Sequence, residues 1–125
     1  MAFARGVGNA RLMITRARIT FSDFDTTSEV SGLDGSTYIV VTIRLAVEHA
    51  QGSLGAVASI GITARQGRRS YELIEPPWVA QPALGEAILD YVRETERLFR
   101  LAPMSEDHRH RARTVELDLD LSEIT

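Results

Sequence analysis

Few residues of this 125-residue chain have the types and spacing that chemistry requires. His108 and His110, with Glu106 before them, fall on one side of an extended segment and have a metal-ligand spacing. Arg109, Arg111 and Arg113 interleave with them and repel a cation, so the stretch reads as a solvated polar linker. Glu86, Asp90 and Glu94 stand one helical turn apart, an arrangement in which carboxylates ligate a metal or raise one another's pKa. Arg93 and Arg97 lie among them, and the simpler reading is a charge-balanced solvent face. His49 stands alone at a strand end. No Ser, Cys or carboxylate is paired with it by spacing, so it reads as a turn-proximal histidine rather than a general base. Gly6-Val7-Gly8-Asn9 opens like a dinucleotide fingerprint, but the third glycine and the preceding strand are missing. No catalytic set, metal set or cofactor motif emerges, and the chain reads as non-enzymatic.

Arg65, Arg68 and Arg69 cluster at one turn, and Arg109, Arg111 and Arg113 in one linker. Guanidinium groups suit phosphates and carboxylates. All 14 basic residues are arginine, which coding bias in a GC-rich genome explains. The net charge of −3 argues against general nucleic-acid binding, and no aromatic residues interleave with the arginines to stack bases. No run approaches 18 apolar residues, so no membrane span is expected. The absence of cysteine excludes a disulfide framework and fits a reducing, cytoplasmic setting. The first 22 residues hold Arg5, Arg11, Arg16 and Arg18 and no acid, the composition of a transit peptide. Met13, Ala17, Ile19 and Phe21 nevertheless share a strand face, so the stretch reads as part of the folded domain.

The patterning that must position these groups is clearest from Ser36 to Arg65. Ile39, Val41, Ile43, Leu45 and Val47 fall at every second position of one strand, and Ala58, Ile60, Ile62 and Ala64 continue the alternation in a second. Gln51-Gly52-Ser53 reads as the turn between them. Upstream, Met1–Ala10 reads as loose, Arg11–Phe24 as a strand with a bulge near Thr15-Arg16, and Asp23–Ser36 as a polar loop. Downstream, Gln66-Gly67-Arg68-Arg69 is a turn and Ser70–Glu75 a short strand ended by Pro76-Pro77. Pro82 opens a helix that runs to Leu101, with Leu84, Ala87, Ile88, Tyr91 and Val92 in an apolar stripe and Glu96 set to pair with Arg100. Met104–Ala112 is a polar linker. Val115, Leu117, Leu119 and Leu121 then alternate with Glu116, Asp118 and Asp120 in a last strand, Arg113–Leu121.

These elements predict one domain over residues 1–125. The expected class is α+β, an antiparallel sheet of four to five strands with one long helix packed on one face. The helix stripe and the Ile39–Val47 stripe are natural partners. The opposite sheet face then carries Tyr38, Val40, Ala46, Val57 and Gly61 among Thr42, Ser59 and Thr63, and a half-apolar outer face suits an interface. Trp78, the only tryptophan, reads first as a plug over one end of the core. It joins Tyr38, Val40, Thr42 and Val57 as a candidate partner contact.

The order of segments resembles the SecB-like export chaperones. The likeness runs over about residues 11–104, through Ile19-Thr20-Phe21, the strand from Tyr38 to Val47, the strand from Ala56 to Gln66, Pro76-Pro77 and the helix ending Leu101-Ala102-Pro103. The resemblance implies a four-stranded antiparallel sheet followed by a long helix, and tetramers that hold unfolded clients on apolar grooves. Two features depart from it: the loop Asp23–Ser36 stands where the family has a strand, and a strand follows the helix. The function expected is a homo-oligomeric, chaperone-like polypeptide binder. A phage or mobile-element assembly subunit of tail or connector type, and a small-molecule-binding domain using Glu86, Asp90 or Glu94, are the alternatives.

Overall fold

The computed structural model describes residues 13–101 and 111–124. Strand β1 spans Ile14–Ser31, β2 Thr37–His49, β3 Gly52–Arg65, β4 Arg68–Glu75 and β5 Arg113–Asp120. They form one sheet in the order β4-β3-β2-β1-β5, and each neighbouring pair is antiparallel. The first four strands follow one another as a meander. Helix α1, Pro82–Leu101, then carries the chain from β4 to the free side of β1, where β5 pairs with Ile14–Phe21. The α+β class and the antiparallel sheet are as the alternation predicts.

Alternation decides which side of the sheet is dry. Val41, Ile43, Leu45 and Val47 of β2 are buried, while Arg44, Ala46 and Glu48 between them face water. Ala17, Ile19 and Phe21 of β1, Ala58, Ile60 and Ile62 of β3 and Leu119 of β5 join the same core. Leu84, Ile88, Tyr91 and Val92 of α1 belong to it as well, each without exposed surface. Full burial of one such side chain contributes about 1.5–3 kcal/mol. The rings of Phe21 and Tyr91 meet at 5.5 Å between centroids, tilted by 38°, a favourable aromatic geometry. Burial pushes the Tyr91 phenol above its usual range, and its hydroxyl donates to the carbonyl of Arg111 at 2.6 Å.

The helix is tied to both edges of the sheet. Toward β4, the buried Glu96 carboxylate accepts from Arg69 at 2.7 Å and from the Tyr71 hydroxyl at 2.7 Å. The Arg93 guanidinium lies 5.2 Å from the centre of the Tyr71 ring. Toward β5, Glu94 takes Arg111 at 3.1 Å and also pairs with Arg113. Just ahead of the helix, the Gln81 side chain imitates a neighbouring strand: its Oε1 accepts the Asp120 N–H at 2.8 Å and its Nε2 donates to the Asp120 carbonyl at 3.2 Å. Glu96 therefore turns to β4; the side chain of Arg100, its expected i,i+4 partner, lies outside the described residues.

Several boundaries differ from those the sequence suggests. Residues Asp23–Ser31 are strand, not loop: β1 continues beyond Phe24 and stays paired with β2 through Ser31↔Thr37. Its pairing with β5 is unbroken from Ile14 to Phe21, so there is no bulge at Thr15-Arg16. The register shifts lie between Ser22 and Asp25 and between Thr26 and Ser28. Asp23 sits there at φ 58°, a left-handed conformation that aspartate tolerates better than most residues. The extra residue lets Phe21 and Phe24, three apart, both enter the core. The β2–β3 turn is Ala50-Gln51, one residue earlier than expected, since His49 already pairs with Gly52. Strand β4 begins at Arg68, directly after Gln66-Gly67.

At the end of β5, Asp120 accepts from the Ser122 hydroxyl at 2.6 Å, from the Ser122 N–H at 3.0 Å and from the Met13 N–H at 3.1 Å. The Ser122 hydroxyl and the Met13 amide hold its carboxyl below the usual value of 3.8. A depressed folded-state pKa contributes stability that is present above the unfolded value and lost as pH falls through the folded one. Asp120→Asn is therefore expected to lower stability at pH 7 and to flatten its fall below pH 4, as read by denaturant melts across that range.

Candidate functional site: the open face of the sheet

The side of the sheet opposite α1 is the one extended surface that no described element covers. Its residues are those that alternate with the core. In β2 they are Tyr38, Val40, Thr42, Arg44, Ala46 and Glu48, and in β3 they are Ser53, Gly55, Val57, Ser59, Gly61 and Thr63. The face divides into two halves. Toward the β2–β3 turn it is a charge ladder: Arg16 lies 3.4 Å from Asp118 and 3.9 Å from Glu116, and Arg18 lies 3.7 Å from Glu116. All of these groups are more than half exposed, and such pairs contribute little to stability. Arg44 and Asp23, 3.2 Å apart, mark the boundary.

The other half mixes apolar groups with acids: Glu72 stands opposite Gly61, Glu75 opposite Ser59 and Asp25 opposite Thr42. Val30 is 60% exposed and its register partner Tyr38 39%, with Val40 half-buried further along β2; Val57, 54% exposed, lies beside Arg44, and Ile74, 43% exposed, falls at the register shift of β4. Gly61 lies opposite Val40 and is buried by the Tyr38 ring. A Cβ at Gly61 would stand 2.4 Å from the Tyr38 hydroxyl, so glycine is what lets the ring lie flat on the sheet. The ring in turn covers backbone that water would otherwise reach. The result is a shallow, pre-formed surface with one aromatic anchor, hydroxyls from Thr42, Ser59 and Thr63, and acids at Asp25, Glu72 and Glu75 along its margins.

The candidate contacts read from the sequence separate here. Tyr38, Val40, Thr42 and Val57 share this face. Trp78 does not: it lies in the short turn of 3-10 helix Pro77–Ala80, is 8% exposed and belongs to the core. Val30 and Ile74 were not anticipated. Val30 falls in the stretch read as loop, and Ile74 is detectable only from its alternation with Leu73.

The other candidate groups do not converge. The Nδ1 of His49 accepts the Gln51 N–H at 3.2 Å, a turn contact. Glu86 faces water, Asp90 pairs with Arg93 at 3.2 Å, and Glu94 is drawn to Arg111 and Arg113. Among the described residues no group of three His, Asp or Glu is placed to hold a metal. Gly6–Asn9, Glu106, His108, Arg109 and His110 lie outside the described residues. No described helix is long and apolar enough to cross a membrane. Comparison with known proteins finds no matching family model, no matching curated protein and no matching solved structure.

Proposed function

We propose that this chain is a non-enzymatic, chaperone-like polypeptide-binding protein that works as a homo-oligomer in the cytoplasm. One observation carries the reading: Val30, Tyr38, Val40 and Val57 lie on one sheet face that no described element covers. Exposed apolar surface of this kind is costly to keep in water and marks sites of association. The surface is shallow, acidic groups at Asp25, Glu72 and Glu75 border it, and its hydroxyl groups offer hydrogen bonds without sequence preference. Those properties suit an extended apolar segment better than a small molecule, which needs a concave pocket. The likeness in segment order to SecB-like export chaperones points the same way.

The test uses the full chain. Light scattering is expected to give a mass that is a multiple of the 13.8 kDa protomer, and the protein is expected to suppress aggregation of a chemically unfolded client. The double variant Tyr38→Ser, Val57→Asp changes exposed groups only. It is expected to lose that suppression while its thermal melt stays cooperative. A strict monomer that leaves client aggregation unchanged overturns the reading.

A further inference from the structure

The hairpin between β3 and β4 carries a charge arrangement that folding alone does not call for. Arg65 and Arg68 are direct register partners across the turn Gln66-Gly67, so both side chains leave the same face of the sheet. Like charges directly opposite one another destabilise a strand pair. Compensation is slight. Arg65 comes no closer than 4.0 Å to the Asp34 carboxylate, whose other oxygen is held by the Ser36 hydroxyl at 2.6 Å and the Ser36 N–H at 3.0 Å. Arg68 has no ion pair among the described residues. Arg69, the next residue, belongs to the opposite face and is taken by Glu96 at 2.7 Å. The turn adds a second oddity. Gln66 stands at φ 52°, in a conformation that asparagine or glycine adopts at lower cost. A glutamine there places an amide at the tip. Thr63, Arg65, Gln66, Arg68 and Ser70 line one open concavity, with Arg69 at its wall.

We propose that this concavity binds a phosphate monoester dianion between the guanidinium groups of Arg65 and Arg68. A dianion turns the repulsion of the two cations into two attractions. Each guanidinium offers paired N–H groups in a fork, and two forks match two edges of a tetrahedral oxyanion, whereas a carboxylate is satisfied by one. The hydroxyls of Thr63 and Ser70 and the Gln66 amide supply neutral donors for the remaining oxygens. Asp34 opposes the ligand by sharing Arg65, so its removal strengthens binding. The inference rests on the hairpin and shares only Thr63 with the surface described above.

The test is titration of the isotope-labelled full chain with inorganic phosphate, with phenyl phosphate and with a phosphoserine peptide, at constant ionic strength set by chloride. Amide signals of residues 63–70 are expected to move with phosphate and not with chloride. Arg68→Gln and Arg65→Gln are each expected to weaken binding at least tenfold. Asp34→Asn is expected to tighten it, and Arg16→Gln, an equally exposed arginine far along the sheet, to leave it unchanged. Unchanged melting temperatures keep these comparisons clean. Equal affinity for phosphate and peptide identifies a small phosphate ligand, tighter peptide binding a phosphorylated chain, and either supports the site. Signals that do not move, or wild-type affinity in Arg68→Gln, overturn it.

Discussion

Phe21→Ala is expected to cost about 3–5 kcal/mol of folding stability, because it removes a fully buried ring from a close-packed core and leaves a cavity. The position is sensitive for two further reasons. Phe21 makes the tilted contact with Tyr91 that joins the sheet to the helix. It also lies in β1 between β2 and β5, paired to Leu45 on one side and Arg113 on the other, so the lesion cannot relax toward an edge. Small domains have about 5–15 kcal/mol in total, and the variant is expected to sit near the limit of folding. Urea unfolding followed by circular dichroism measures it. A loss below about 1 kcal/mol would mean that the ring is not enclosed as described.

Glu96→Ala is expected to cost about 2–3 kcal/mol, a little under the range for breaking a fully buried ion pair. The carboxylate is 10% exposed in its side chain and its Arg69 partner 25%, so removing it strands a cation that water only partly reaches. The Tyr71 hydroxyl loses its acceptor in the same step. A double-mutant cycle with Arg69→Ala isolates the pair. Coupling above about 1 kcal/mol supports the helix-to-edge tie, and coupling near that of an exposed pair, about 0.2–0.5 kcal/mol, refutes it.

Both results turn on how unevenly the chain displays its structure. Strands β2, β3 and β5 and the helix are legible because each has one wet and one dry side, and the residue types repeat with the period of the element. The far half of β1 has no such contrast. Asp25–Ser31 is exposed throughout, its composition is that of a loop, and only pairing with β2 makes it a strand. The bulge at Asp23 hides in the same way, since an extra residue breaks the period that reveals a strand. The clasps made by Glu94 and Glu96 join groups 17 to 27 residues apart. In the sequence these acids look like any solvent-facing helical charge. The open face follows from alternation at Tyr38, Val40 and Val57. Ile74 lies in an eight-residue edge strand with a register shift that blurs its alternation, whereas Trp78 is buried in the core as its reading as an apolar plug predicts.

The strand order has a bearing on biosynthesis. Arg16 in β1 meets Asp118 in β5 across 102 residues of chain. While the ribosome is still making the helix, β1 already has Ile19 and Phe21 to hide and one backbone edge with nothing to bond. Such late closure slows folding and lengthens the time in which nascent chains can pair with one another by that edge. The chain is therefore expected to need shielding by other factors during its own synthesis.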